Sequence, residues 1–204
     1  DPFLVERNGQ TYLFIEEMLF KRGIGTINLL KLNQQGNVDS NQVLIERPYH
    51  MSYPFLFEHR GELYMLPETN GNNAIEVYRC VRFPDQWEFH KTLMKDLKAV
   101  DATLLEHDGR WWMFVTIAAY GNTTWDTLHL FHADDPLSDT WTAHPLNPVI
   151  SDIRTARMAG RIYQNSAGLI RPSQNSSNRY GYGLNLNQII TLTTTEYAER
   201  QIDQ

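Results

Sequence analysis

The feature that most constrains the fold of this chain is a segment of about fifty residues that recurs along it. Three stretches correspond in sequence: DPFL at residues 1–4, YPFL at 53–56 and DATL at 101–104. In each copy a glycine, namely Gly9, Gly61 or Gly109, follows six residues after the third position and opens an aromatic-rich run. The copies start 52 residues apart (1 to 53) and 48 residues apart (53 to 101). Because the register is kept across three copies, we interpret them as one repeated structural unit.

Each unit contains alternating apolar segments that are typical of β-strands. Beyond the hairpin around each glycine, third strands are predicted at 27–32, 75–80 and 128–133, and fourth strands at 42–45, 87–93 and 141–144. The dipeptides Asn8-Gly9 and Asp108-Gly109 favour tight hairpin turns, because both residue types tolerate positive φ. A fourth, degenerate unit is predicted to have strands at 166–170, 180–184 and 188–194 and to lack a fourth strand.

Four antiparallel strands in about fifty residues indicate a β-propeller blade. The sequence therefore predicts an all-β fold: a single propeller domain over residues 1–204, with blades at about 1–48, 49–97, 98–150 and 151–204. Since a propeller has to close on itself, three full units and one partial unit predict a five-bladed propeller of which part of one blade is missing or lies outside this chain. A single β-sandwich with fortuitous internal similarity is the alternative fold.

Composition and charge exclude several classes of function. The formal net charge of −6 and the absence of a Lys/Arg run argue against a nucleic-acid partner or an anionic membrane surface. No apolar stretch is long enough to span a membrane, and no signal peptide is present, which slightly favours a soluble, cytoplasmic protein. Because the chain begins inside a motif, the removal of an N-terminal leader sequence remains an alternative. The single cysteine, Cys80, and the absence of Cys/His ligand spacing predict no disulfide, no metal and no cofactor.

Acidic residues at equivalent positions of the units are the first candidates for chemistry. In a propeller the first strand of each blade lines the central channel, so Asp1, Tyr53 and Asp101 are expected around one channel mouth. Two carboxylates in register suit sugar chemistry, in which one activates water or attacks and another protonates the leaving oxygen. The alternative is that Asp1 and Asp101 are turn acids that join neighbouring blades.

The ends of the second strands add further candidates. Glu16 and Glu68 each lie seven residues after the glycine of their unit, and Thr116 occupies that position in the third unit. Glu68 is a candidate general acid, because apolar neighbours raise the pKa of a carboxyl group and so favour its protonated form. Glu16 is a candidate binding residue.

A segment over residues 155–175 carries planar polar side chains among small residues. Arg157, Arg171 and Gln174 could recognise hydroxyl groups, carboxylates or phosphates, and Arg171 is predicted to follow an inner strand near the channel. A structural salt bridge to Asp1 or Asp101 explains Arg171 equally well. Among the aromatic residues, most of which are expected to pack between blades, Trp125 is predicted to be exposed in a loop and to stack on a sugar ring.

Several strings in the chain resemble known carbohydrate-active propellers. The segments DPFL (1–4), YLF (12–14) and WTAHPLNPV (141–149) resemble the five-bladed propeller glycosidases of the arabinanase/xylosidase and invertase/levansucrase group. The similarity is closer to the propeller domain at the N-terminus of plant glucosamine inositolphosphorylceramide transferases and of uncharacterised bacterial proteins. That similarity rests on SYP (52–54), LPET (66–69), DATL (101–104), ARMAG (156–160) and RPSQ (171–174).

This resemblance implies roles for individual residues. Asp1 matches the first acid of the glycosidases, a base or nucleophile, and Asp101 matches the acid that orients and tunes its partner. Glu68 is the candidate general acid, although its surroundings do not reproduce the usual acid motif, and Tyr53 stands where an acid is expected. The resemblance thus implies a glycoside hydrolase-like propeller that binds a glycan. The alternative is a non-catalytic glycan-binding or accessory domain associated with a glycosyltransferase domain, and a third is a protein-interaction propeller.

Overall fold

The computed structural model describes residues 2–118 and 123–203 of the chain. It divides into two compact units, Asp1–Lys95 and Asp96–Gln204, which we refer to as the N-terminal and C-terminal units. Within the described residues, no helix is both long and apolar enough to cross a membrane. The predicted cellular location stays a prediction.

The N-terminal unit consists of two antiparallel sheets of four strands, each in sequential order. The first sheet contains β1 (Phe3–Arg7), β2 (Gln10–Leu19), β3 (Ile24–Leu32) and β4 (Val38–Ile45), and the second contains β5 (Ser52–His59), β6 (Glu62–Glu68), β7 (Ala74–Arg82) and β8 (Gln86–Lys95). A short 3₁₀ helix over Asn70–Asn72 joins β6 to β7. The outer strand β4 is exposed over residues 38–43 and carries mostly polar side chains there.

The C-terminal unit also contains two antiparallel sheets. The first contains β9 (Ala99–His107), β10 (Arg110–Ile117), β11 (Thr127–Ala133) and β12 (Thr142–Ala143), with β13 (Ile150–Ser151) also paired to β11; the second contains β14 (Tyr163–Asn165), β15 (Gly168–Asn175), β16 (Gly183–Leu192) and β17 (Tyr197–Asp203). The bounds predicted for the strands of the fourth unit, and the predicted lack of a fourth strand, are therefore wrong. Its first strand is the three-residue β14, residues 166–167 form a turn, and a fourth strand, β17, is present.

The hairpins that open the first three sheets have the predicted tight turns. The pairs Asn8-Gly9, Arg60-Gly61 and Asp108-Gly109 have positive φ at both residues, between 50° and 80°. This backbone conformation matches the twist of the flanking strands and explains why Asn, Asp and Gly are favoured there.

A β-bulge near the start of the first strand recurs in two of the sheets. In β5 the register with β6 shifts between Ser52 and Phe55, and in β9 an equivalent extra residue follows Val100. Tyr53 and Asp101 occupy this bulge and both have left-handed backbone conformations, with φ of 45° and 54°. The sequence-based equivalence of Tyr53 and Asp101 thus has a backbone basis, because an extra residue re-aims the side chain that it carries.

Each unit has an apolar core between its two sheets. In the N-terminal unit the ring of Phe3 packs edge-on against Tyr53 and Phe55, with centroids 5.1 and 5.6 Å away. In the C-terminal unit Phe114 of β10 packs against Tyr197 of β17, with centroids 6.0 Å apart. The prediction of an all-β fold of four-stranded antiparallel blades is confirmed. The blade boundaries and the missing part of a blade stay predictions.

Candidate functional site

The second strand of every sheet places a polar side chain at its seventh residue. These residues are Glu16 in β2, Glu68 in β6, Thr116 in β10 and Gln174 in β15. The alignment of the repeats within the chain already relates Glu16, Glu68 and Thr116. The strand bounds of the structure add Gln174 as the fourth member. Two sheets therefore carry a carboxylate at this position, one a hydroxyl group and one an amide.

In the C-terminal unit, Asp101 and Arg157 form a buried ion pair. The Nε atom of Arg157 donates a hydrogen bond to Oδ2 of Asp101 at 2.6 Å, and the two side chains are 8% and 0% exposed. Gln174 Nε2 donates to the same oxygen at 3.4 Å. The structure thus brings together three residues that the sequence had singled out separately, in a cluster that we call the Asp101 cluster (Asp101, Arg157 and Gln174).

Two polar atoms beside this cluster have no partner among the described residues. Oδ1 of Asp101 and Oγ1 of Thr116 are buried and make no hydrogen bond. Thr116 pairs across the sheet with Val100, the residue before Asp101. A buried acceptor without a donor is costly, so these atoms mark a place where a hydroxyl group of a ligand, or a water molecule, would be stabilised.

One aromatic ring lies over the guanidinium group of Arg157, and a second ring packs against the first. Its Cζ atom lies 5.2 Å from the ring centroid of Tyr180, and that ring lies 5.7 Å from the ring of Trp125 at an angle of 37°. Trp125 was predicted to be exposed in a loop; it lies outside the strands but is half-buried, because Tyr180 packs against it. Tyr180, which is half-exposed, was not predicted as a site residue because its segment was assigned to a strand. The Ser, Asn and Gly residues of the segment 176–182 are typical of a loop, and this composition could have indicated that Tyr180 is not in a strand.

Arg171 is held inside the C-terminal unit by a buried salt bridge and a hydrogen bond to the backbone. It lies inside β15, the second strand of its sheet, so the prediction that it follows an inner strand is wrong. Its side chain is fully buried and donates to both carboxylate oxygens of Glu199, at 2.7 and 2.6 Å, and to the backbone oxygen of Thr155 at 2.7 Å. Burial, the largest single influence, disfavours its charge, but Glu199 and Tyr197 together raise the pKa of Arg171 above its ordinary value. A structural salt bridge of Arg171 was considered from the sequence with Asp1 or Asp101 as the partner, but its partner in the structure is Glu199, and Asp101 pairs with Arg157.

The predicted acids of the N-terminal unit have different surroundings. Glu68, the last residue of β6, is buried. Glu16 is partly exposed and its Oε1 lies 3.5 Å from Nε2 of His50, whose Nδ1 accepts a hydrogen bond from the backbone N–H of Gly25. Asp1 lies outside the described residues. Because Glu68 and Asp101 belong to different units, the combined site of Asp1, Glu68 and Asp101 stays a prediction, as do the binding roles of Glu16 and Tyr53.

No group of three or more His, Cys, Asp or Glu side chains that could hold a metal ion occurs in residues 2–118 and 123–203.

Structural similarity extends over nearly the whole chain. An α-L-arabinanase from Cellvibrio cellulosa matches with a TM-score of 0.63 and 12% identity, over 97% of this chain and 76% of the arabinanase. A GH43_1 enzyme from Xanthomonas citri, solved with xylotriose, matches with a TM-score of 0.68 and 12% identity, over 97% of this chain and 70% of that enzyme. At such identity the similarity shows the fold alone, which is that of the family-43 glycoside hydrolase propellers.

Sequence similarity identifies the family. The chain is 32% identical over 203 residues to glucosamine inositolphosphorylceramide transferase 1 of Oryza sativa subsp. japonica and 30% identical over 206 residues to that of Arabidopsis thaliana. These matches cover 98% and 99% of this chain but only 27% of the length of either plant protein. Residues 1–204 also match the family model described as glucosamine inositolphosphorylceramide transferase 1, N-terminal. The chain therefore belongs to the family of N-terminal domains of glucosamine inositolphosphorylceramide transferase 1.

Proposed function

We propose that this domain is a non-catalytic glycan-binding module that serves a glycosyltransferase. The family supports an accessory role, since the relatives are named as transferases and this chain corresponds to 27% of their length. Their names combine an amino sugar with an inositolphosphorylceramide. We propose the sugar-bearing head group of such a lipid, or a related glycan, as the ligand.

The observation that carries the proposal is the pattern of hydrogen bonds at the two oxygens of the Asp101 carboxylate. Arg157 neutralises it at 2.6 Å and Gln174 donates to the same oxygen, so one oxygen is fixed and the other still accepts. A carboxylate held in this way is a rigid acceptor for a sugar hydroxyl group, whereas an acid–base catalyst needs a group free to exchange a proton. In the C-terminal unit the seventh residues of the second strands, Thr116 and Gln174, supply a hydroxyl group and an amide, which bind sugars but do not transfer protons readily.

The aromatic pair beside the cluster supplies the second half of a sugar site. Trp125 and Tyr180 present ring surface next to the charged and amide groups of Arg157 and Gln174. Sugar rings stack their C–H faces on aromatic rings while their hydroxyl groups bond to planar polar side chains. Such a site discriminates by shape and hydroxyl pattern without breaking a bond.

Isothermal titration of the full-length protein with a soluble inositol-phosphate glycan tests this function. We expect Tyr180→Ala to weaken binding about tenfold, because it removes a stacking surface worth about 1.4 kcal/mol. Tyr163→Ala is the matched control, since Tyr163 is 41% exposed on β14 whereas Tyr180 is 50% exposed. Equal affinity of the two variants would contradict the proposed site.

Glycoside hydrolysis is the second candidate function, favoured by the family-43 fold and by the buried acids Glu68 and Asp101. Incubation with xylotriose and arabinohexaose, followed by analysis of released sugars, separates the two functions. We expect no release. Cleavage that Asp101→Asn and Glu68→Gln each abolish, with Glu58→Gln as an exposed control, would replace the binding function by catalysis.

A further inference from the structure

The C-terminal unit contains a cleft that the Asp101 cluster does not use. It has a volume of about 380 Å³ and lies between residues 149–155 and the strands β16 and β17. Its polar lining consists of Asp152, Thr155, Asn187, Tyr197, Glu199 and Gln201. A volume in the range of roughly 300 to 1,000 Å³ is typical of small-molecule sites. None of the residues of the Asp101 cluster, and neither Trp125 nor Tyr180, lines it.

The carboxylates of the cleft are held by cations. Glu199 accepts two hydrogen bonds from Arg171 and a third from the hydroxyl group of Tyr197. Asp152 accepts from Arg154 at 2.6 Å. Each carboxylate is therefore oriented and neutralised before a ligand arrives, which is the preorganisation that a binding site requires.

Asn187 provides an independent sign of a missing partner. Its side chain is almost completely buried, with 1% exposure, and Nδ2 donates to Ser173 Oγ at 2.8 Å and to the backbone oxygen of Arg171 at 3.1 Å. Oδ1 of the same amide has no hydrogen-bond partner in the described part of the chain. Since buried amide oxygens are almost always satisfied, this oxygen, in a residue that lines the cleft, is an acceptor for a donor from outside the protein, either a ligand hydroxyl group or a water molecule.

We propose that this cleft binds a neutral sugar ring or a short neutral glycan, at a site separate from the Asp101 cluster. The polar groups that face it are mainly acceptors, which suit the hydroxyl donors of a sugar, and Val149, Ile150 and Ala198 add apolar surface for its C–H faces. A phosphate does not fit, because the guanidinium group of Arg171 is fully buried behind Glu199. The site goes beyond the function proposed above, because it would give the domain two points of attachment to a glycan.

The test is calorimetric titration of the full-length protein with xylotriose, with inorganic phosphate as the anionic comparison. Ala198→Trp places an indole in the cleft at a position that is already exposed, and Ala143→Trp makes the same change on the exposed strand β12. We expect Ala198→Trp to remove one class of xylotriose sites and Ala143→Trp to remove none. Phosphate is expected to give no heat with either variant.

A second variant guards against misfolding of the first. Gln201→Ala shortens an exposed lining side chain and is expected to weaken the same class of sites about tenfold. Tyr180→Ala is expected to leave that class intact, so failure of the Asp101 site and failure of the cleft give different patterns. Xylotriose binding that is insensitive to both cleft variants, an absence of xylotriose binding, or competition by phosphate would overturn the proposal.

Discussion

The ion pair between Asp101 and Arg157 illustrates what a single buried carboxylate requires. Asp101 is fully buried and sits in a left-handed conformation within a bulge, a conformation in which aspartate is several-fold enriched. Removing such a charge from water is expensive, and the cost is offset only when a cation and further donors are in place. Arg157 and Gln174 supply them for one oxygen, and the other oxygen accepts no hydrogen bond among the described residues.

Arg157→Ala is expected to destabilise the protein by about 3–5 kcal/mol, because it leaves an uncompensated buried carboxylate. Arg154→Ala removes an arginine whose ion pair with Asp152 is exposed, and is expected to cost less than about 1 kcal/mol. The free energy of unfolding in urea measures both. Similar losses for the two variants would show that the Asp101 pair contributes no more than a surface pair.

Position 25 requires glycine because neighbouring atoms leave no room for a Cβ atom, and not because of its backbone angles. A Cβ atom at this residue would lie 2.5 Å from the backbone oxygen of Met51 and 2.8 Å from Oε1 of Glu16. We expect Gly25→Ala to destabilise the protein by about 1–3 kcal/mol, as overpacking does, in thermal or urea unfolding. Gly183→Ala is the control, since its Cβ would meet Cβ of Asn175 at an ordinary 3.7 Å, and a comparable loss there would contradict the steric explanation.

At the scale of strands, the sequence predicted the first three sheets well and the fourth poorly. The first three have Asn-Gly, Arg-Gly or Asp-Gly turns followed by apolar runs, whereas the turn before β15 is Ser166-Ala167 and lacks that signal. The strand β14 has three residues, all exposed, so it shows no apolar alternation. The run 180–184 resembles a strand by its tyrosines, but it is a loop that leads into β16 at Gly183.

The strand β11 is expected to make the protein sensitive to mild acid. Burial lowers the pKa of His129 below its ordinary value of 6.5, and burial together with Arg110 lowers that of His132. As the pH falls below about 6.5, the unfolded chain takes up protons that the folded chain does not, so the free energy of unfolding decreases.

The measurement is urea unfolding between pH 7.5 and about pH 5. His129→Gln and His132→Gln are each expected to reduce the slope of stability against pH, and their effects should add, because the residues are three positions apart on one strand. An unchanged slope in the double variant would assign the acid sensitivity to other groups.

For the whole molecule, pattern alone identified the class of fold and most of the members of the site. Asp101, Arg157, Gln174 and Trp125 were singled out from the sequence, and the C-terminal unit brings them close to one another. Their pairing could not be predicted, since Asp101 and Arg157 are 56 residues apart and no repeat relates them. The partner of Arg171 was missed for a similar reason, because Glu199 lies on a strand that had not been predicted.

The proposed accessory role leads to a kinetic prediction, which applies to a full-length transferase that contains this domain. We expect Tyr180→Ala to raise the KM for the glycan acceptor several-fold and to leave kcat unchanged, because the proposed role of the domain is to hold the acceptor without taking part in transfer. Steady-state kinetics with varied acceptor concentration test this, with Tyr163→Ala as the control. A fall in kcat at unchanged KM would instead place this domain in the chemical step.

The outer strand β4 has a consequence for solubility. As the last strand of its sheet, β4 has an edge to which no further strand of the described residues pairs, yet its exposed run from Val38 to Val43 carries Asp39, Ser40, Asn41 and Gln42 in its middle. Polar and charged side chains on an edge disfavour the intermolecular pairing that leads to fibres. The polar residues of β4 thus disfavour pairing at this edge, and engineering of this domain should leave that strand hydrophilic.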